Sequence, residues 1–232
     1  GLNALYNNTT ASNNTAVGAN ALLANTTGAQ NTAVGTSAGA AITTAVNTVV
    51  MGYQAGDAIT TGNNNVAIGT TALSANTTGA SNTALGHAAL LANTTAANNT
   101  AIGYASLGAN TTGTDNTAIG ESTLAGTTTG NRNTGFGRRA LMTNTTGTQN
   151  VSVGYLALYS NTTASNNTAV GDSALFANTT ATGNTAVGSG AGDAITTGNS
   201  NTALGYVSLT TNTTGAANVA VGQSALESNT TA

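Results

Sequence analysis

Large apolar residues in this chain do not follow the 3.6-residue spacing of an amphipathic helix. They fall in short clusters that return every seventeen residues. Glycine marks the period, at 1, 18, 35, 52, 69, 86, 103, 120, 137, 154, 171, 188, 205 and 222, with no insertion or deletion. Taking each of these glycines as position 0 aligns the chain with itself. Position −1 is always large and apolar, as in Val17, Met51, Ile68, Leu85, Phe136 and Leu204. Position −2 is small or Val (Ala16, Val50, Gly135, Ser152), and position −3 is always Thr or Val. Position −4 is Asn except at Thr48. The segment Asn-Thr-Ala-Val therefore predicts a short strand, built on β-branched residues and stopped by a glycine that supplies a turn or a close backbone approach.

The second half of each unit reads Ala-Leu-x-x-Asn-Thr-Thr-Gly. Position +3 is small (Ala4, Ala21, Ser106, Thr123), and position +4 is Leu except at Gly39, Gly56 and Gly192. In those same three units position +7 changes from Asn or Thr to Ile42, Ile59 and Ile195. The coincidence predicts a volume-conserving exchange between neighbours in one core, with +7 facing the same interior as +4. A second β-like segment is expected here. All charged residues and the single histidine avoid these columns: Asp57, Asp193 and Glu227 stand at +5, Glu121, Arg138, Asp172 and His87 at +1, Arg139 at +2, and Asp115 and Arg132 at +12. Those positions are the expected solvent face.

Composition sharpens the picture. Nine of 232 residues are charged, net −3, and Pro, Cys and Trp are absent, against about a quarter charged in an average domain. So sparse a charge gives no basis for attracting nucleic acid or an anionic membrane surface. No apolar run approaches the roughly 18 residues of a membrane span, so membrane insertion is not expected. High Asn, Gly and Thr with few large hydrophobes is the composition of many disordered segments. Strict register argues instead for an ordered array in which one unit is stacked.

The fold expected is all-β: a parallel β-solenoid or β-roll of seventeen-residue coils, residues 1–232 forming a single array of about 13.6 coils. With one strand spacing per coil, thirteen coils predict a rod of about 60 Å, with identical side chains stacked in ladders. Positions −2 and −1 point to opposite faces of a strand, and both are restricted. A lone solenoid would leave one face free to vary, so association is expected, most simply as a parallel homotrimer. The chain starts at a glycine and stops within a unit, and both edge units are ordinary. That predicts a segment of a longer fibre, or a protomer that stacks end to end into a filament.

The motifs Asn-Thr-Ala-Val-Gly and Asn-Thr-Ala-Ile-Gly, at 14–18, 31–35 and 116–120, resemble the repeats of trimeric autotransporter adhesin (YadA-like) heads, which are trimers of left-handed parallel β-rolls. The longer unit also resembles bacteriophage tail-fibre repeats. The resemblance spans the whole chain, although its unit is longer than the usual adhesin-head repeat. It implies a homotrimeric, extracellular fibre on a cell surface, in a secreted filament or on a virion.

Catalytic chemistry has little footing, and an enzyme is not expected: His87 is the only histidine, in a variable column. Gly135-Phe136-Gly137-Arg138-Arg139 has the look of a phosphate loop, but Gly137 is the periodic glycine and no helix follows. Arg132, Arg138 and Arg139 read as a solubilising patch rather than an anion site. Asp57 and Asp193 share a column but lie eight coils apart, too far to share a metal. Tyr53, Tyr104, Tyr155 and Tyr206 at +1 read as isolated surface aromatics, with glycan stacking as the alternative. No cofactor is expected.

Two Thr/Asn columns carry the remaining candidate chemistry. Asn-Thr-Thr makes formal N-glycosylation sequons of Asn8, Asn25, Asn76, Asn93, Asn110, Asn144, Asn161, Asn178, Asn212 and Asn229. Thr-Thr persists where +7 is Ile, so a structural role for the Asn is favoured. Position +8 is Thr in every unit: Thr9, Thr26, Thr43, Thr60, Thr77, Thr94, Thr111, Thr128, Thr145, Thr162, Thr179, Thr196, Thr213 and Thr230. If neighbours alternate faces, this column points outward. It is then a hydroxyl ladder, an O-glycosylation array or an ice-binding face. The function expected is a structural extracellular fibre segment, a rigid trimeric spacer in an adhesin or tail-fibre shaft. The alternatives are a self-assembling filament carrying attached glycans, and a repeated-face module that binds host-surface glycans or ice through its Thr columns.

Overall fold

The computed structural model describes residues 1–231, which form two compact units that divide between residues 115 and 116. In the first, six three-residue strands stack: β1 (Thr15–Val17), β2 (Thr32–Val34), β3 (Val49–Met51), β4 (Val66–Ile68), β5 (Thr83–Leu85) and β6 (Thr100–Ile102). In the second, seven do so: β7 (Thr117–Ile119), β8 (Thr134–Phe136), β9 (Val151–Val153), β10 (Thr168–Val170), β11 (Thr185–Val187), β12 (Thr202–Leu204) and β13 (Val219–Val221). Consecutive strands within each unit pair in parallel, and every residue faces its counterpart seventeen positions away, as Ala33 faces Val50 and Val170 faces Val187. Both units are thus parallel β-solenoids with seventeen-residue coils, and no helix occurs among the described residues.

Register follows from the strand's alternation. Position −2 is buried, with Ala33, Ala67, Ala118 and Ala186 at zero exposure, whereas −1 and −3 point out. A slip of one residue would turn the apolar −1 side chains inward, where neighbours leave room only for Ala, Ser, Gly or one Val. Behind every strand but β3, where Thr48 stands, the −4 asparagines form a ladder. The backbone N–H of Asn82 donates to Oδ1 of Asn65 (2.9 Å), and its Nδ2 donates to the carbonyl of Ala96 (2.9 Å). The same pattern recurs at Asn150, Asn167, Asn184 and Asn201. These side chains are fully buried, so both amide ends need partners, and the repeat supplies them.

The expected second β-like segment is not a strand. Positions +1 to +7 form successive turns in which +2 and +4 hold positive φ, as at Asn20 (57°), Leu22 (51°), Ser173 (54°) and Leu175 (52°). Hydrogen bonds alternate accordingly. Leu23 N–H and Asn25 N–H close turns onto Asn20 and Leu22 carbonyls, while Leu22 N–H and Ala24 N–H reach Ala38 and Ala40 in the next coil. A left-handed leucine costs roughly 1–2 kcal/mol, and wholly burying its side chain returns about 1.5–3 kcal/mol. Burial wins, and Leu22, Leu73, Leu107, Leu141 and Leu175 all have zero exposure. Val207 (46°) holds the same backbone without that compensation, since its side chain is only half-buried.

The core exchange between +4 and +7 is present in the packing. A Cβ on Gly39 would lie 2.8 Å from Ile42 Cδ1, one on Gly56 2.8 Å from Ile59 Cδ1, and one on Gly192 2.9 Å from Ile195 Cδ1. The isoleucines, at zero exposure, occupy the space that the leucines fill elsewhere. Val50, the one Val at −2, lies between two of these glycines, 3.0 Å from a Gly39 Cβ and 2.7 Å from a Gly56 Cβ.

Candidate functional site

The Asn-Thr-Thr stretch lies at a corner of the coil, and backbone geometry decides what each side chain can do. Position +7 faces inward. Asn25, Asn76, Asn93, Asn110, Asn144, Asn161, Asn178 and Asn212 have zero exposure, and each Nδ2 donates to the carbonyl three residues on. Where asparagines stand in consecutive coils, Nδ2 also donates to the previous Oδ1, as from Asn93 to Asn76 and from Asn178 to Asn161 (both 2.9 Å). Their amide nitrogens are held in the core and have no open face toward an incoming sugar. Asn8 is exposed and Asn229 half-buried, so the edge units are the exceptions. The ladder breaks where +7 is not Asn: Oδ1 of Asn25 lies under Ile42 and is buried without a partner, and Oδ1 of Asn110 is likewise buried without one.

The +8 threonines do not project freely. Thr26, Thr43, Thr60, Thr77 and Thr94 are half-buried, and each Oγ1 donates to the carbonyl of the +8 Thr in the next coil, at 3.0–3.2 Å. Thr128, Thr145, Thr162, Thr179 and Thr196 do the same in the second unit. Strand alternation had placed +8 outward, but a bend occupies these residues, so the alternation rule does not hold here. The outward column is +9, from Thr27 and Thr44 to Thr197 and Thr214, where every Thr is exposed. The distinction gives a direct expectation. Changing Thr43, Thr60 and Thr77 together to Val should lower the thermal midpoint, at about 0.5–1 kcal/mol per hydroxyl. Changing Thr44, Thr61 and Thr78 to Val should leave it nearly unchanged. Thermal unfolding by circular dichroism compares the two, and equal effects would mean that the hydroxyl-to-carbonyl bonds add nothing.

Elsewhere the charged and aromatic columns make short, local contacts. His87 and Tyr104 stack at 5.4 Å in adjacent coils, so Tyr104 is not isolated. Tyr159 and Phe176 at +5 stack at the same distance. Arg138 Nε donates to Glu121 Oε2 at 3.1 Å, and its guanidinium lies 5.9 Å from the Tyr155 ring centroid. The Glu121 carboxylate holds the Arg138 guanidinium above its ordinary range. Burial pushes the Asp57 carboxyl up, and the backbone N–H groups of Asp57 and Ala58 pull it part of the way back. Among the described residues, no three His, Asp or Glu side chains are grouped to hold a metal ion. No helix among them is long and apolar enough to cross a membrane.

The sequence did not reveal a second exchange, which the packing shows. Gly135, the one glycine at −2, faces Thr123, whose Cγ2 would lie 2.5 Å from a Cβ there. Thr123 is the one Thr at +3. The pair occurs once, so no recurrence exposes it. Neither family models, nor curated proteins, nor solved structures give a match to this chain.

Proposed function

We propose that this chain is a structural, non-enzymatic segment of an extracellular fibre, a rigid spacer in which three parallel copies associate. The observation that carries this reading is the uniformity of the coil-to-coil bonding. In each unit the strand pairs, the −4 Asn ladder and the +8 Thr ladder repeat from coil to coil with almost no specialised turn. A solenoid bonded in this way gains stability from each neighbouring interface, and its length is set by the number of coils. Among the described residues, reactive side chains stand on variable outer columns and contact one another only between neighbouring coils, as Arg138 does with Glu121 and Tyr155, which a spacer permits.

The test is to remove two whole coils, residues 137–170, from the fibre in which the chain occurs. A spacer should keep its circular dichroism spectrum and its attachment while shortening by about 10 Å, two strand spacings. Loss of attachment with the fold intact would overturn the spacer reading in favour of a binder whose repeated face touches the ligand.

A further inference from the structure

The turns from +1 to +7 point +3, +4 and +7 inward and leave +1, +2 and +5 outside. In three consecutive coils of the second unit these outer positions fill with large side chains. Two of the chain's three arginines (Arg138 and Arg139) and three of its eight Tyr and Phe residues (Tyr155, Tyr159 and Phe176) fall there. Position +2 shows that the crowding is costly. Its backbone is left-handed in every unit, and nine of the fourteen units place Asn, Ser, Ala or Gly there. Arg139 (57°) and Leu156 (54°) take the same backbone with long side chains that are only half-buried. The +4 leucines recover the cost of positive φ by complete burial, and these two do not. Arg139 carries a second cost. Its Nε is buried without an acceptor, and among the described residues the ion pair is made by Arg138 with Glu121 instead. A cation partly removed from water and left unpaired is unfavourable until an anion reaches it.

We propose that this patch, within residues 138–176, docks a short acidic segment of another protein, in which a carboxylate stands beside apolar side chains. Arg139 takes the carboxylate, and the half-buried Leu156 and Met142 take its apolar neighbours. Glu121 and Tyr155 hold Arg138 in place as a second donor, through the 3.1 Å ion pair and the 5.9 Å approach to the ring. Ring orientation favours a peptide over a sugar, which packs on a free aromatic face. Tyr159 and Phe176 turn their faces to each other, 5.4 Å apart and 5° from parallel, and the Arg138 guanidinium lies over Tyr155. Stacking from coil to coil leaves ring edges outward, the electropositive part of an aromatic, which suits an acidic partner. Arg, Tyr, Phe and Met are also the side chains that concentrate at the cores of protein interfaces. From first coil to third is about 10 Å, which three extended residues span. The inference adds one docking point to the spacer reading and does not rest on it.

The probe is a fluorescently labelled Leu-Asp-Leu amide, titrated onto the full chain beside its Leu-Asn-Leu twin. Variants take residues that the same column already holds, so the coils should still form. Arg139→Ser matches Ser122 and Ser173, and Leu156→Asn matches Asn20. Arg132→Ser, at +12 where Ser81 and Ser200 also stand, removes the same charge away from the patch. The Asn twin should bind about tenfold or more weaker than the Asp peptide, and Arg139→Ser should weaken the Asp peptide as much, the loss of one charge-assisted contact. Leu156→Asn should weaken it several-fold and Arg132→Ser hardly at all, with circular dichroism unchanged in all three. Equal binding of the twin overturns the proposal on the unmodified chain alone, whatever the variants do. Equal effects of Arg139→Ser and Arg132→Ser, or no binding at millimolar peptide, would also overturn it. Tighter binding of trigalacturonate would replace the peptide with an acidic saccharide, and acetate binding as well as the peptide would leave an adventitious ion only. Every variant keeps all its coils, so these results leave the spacer reading and its length test untouched.

Discussion

Gly154→Ala is expected to cost on the order of 3 kcal/mol or more and to open the coils on either side of it. Gly154 has φ of +135°, a region populated almost only by glycine, and an added Cβ would lie 2.4 Å from the carbonyl oxygen of Gly171 and 2.6 Å from its carbonyl carbon. Both are backbone atoms of the next coil, whose position is fixed by strand pairing, so neither can swing aside. The informative comparison is Gly147→Ala at position +10. There a Cβ would come even closer, 2.2 Å from the Ala164 oxygen. Yet the same position holds Ala45, Ala96, Ala164 and Ala181 elsewhere in the chain, buried, and Gly147 is not among the glycines with positive φ. That variant should cost about 1 kcal/mol or less. Thermal unfolding gives the two values, and hydrogen exchange locates the opening. Equal losses would mean that contact distance, and not φ, confines glycine to position 0.

The second large effect is a coupling. Gly39→Leu forces a side chain against Ile42 Cδ1 and Val50 Cγ2 and should cost about 1–3 kcal/mol. Ile42→Asn removes a wholly buried apolar side chain and should cost about 2–5 kcal/mol. Made together, they rebuild the Leu and Asn arrangement of the other coils, and the new Asn amide stands above the unpartnered Oδ1 of Asn25. The double variant should therefore lie at least about 2 kcal/mol above the sum of the singles. Adding Val50→Ala should recover more, because that valine fills space opened by Gly39 and Gly56. Four melting curves, of the unmodified chain, the two single variants and the double, and the cycle built from them decide the matter, and strict additivity would remove the shared-core interpretation.

Much of this core was legible because the chain repeats. Fourteen aligned units let Gly39, Gly56 and Gly192 be matched to Ile42, Ile59 and Ile195 without coordinates. Thr123 and Gly135 make the same kind of exchange and stayed hidden, since one occurrence has no column statistics behind it. The period likewise dictated a parallel stack with seventeen residues per coil, and strand alternation put Ala on the opposite face from Thr and Val, while burial in the structure showed that the Ala side faces in. Where the backbone leaves the strand, pattern reasoning lost its rule. The Ala-Leu-x-x-Asn stretch reads like a strand, but its leucines sit at φ near +50°, a conformation that no propensity scale assigns to Leu.

The candidate site shows the same division. That the Thr pair matters was evident from its constancy. Which Thr is spent inside and which stands free was decided by the bend at +8 and +9, where Thr26 Oγ1 turns to the Thr43 carbonyl and Thr27 is left to solvent. Sequence by itself determined the repeat, the strand, its register and the columns that must be small or apolar, because each is a one-dimensional consequence of stacking identical units. Tertiary structure alone decided the left-handed turns, the direction of the Thr column and the exposed apolar strand face. Those depend on where backbone hydrogen bonds find partners between coils, and local residue preference does not encode that geometry.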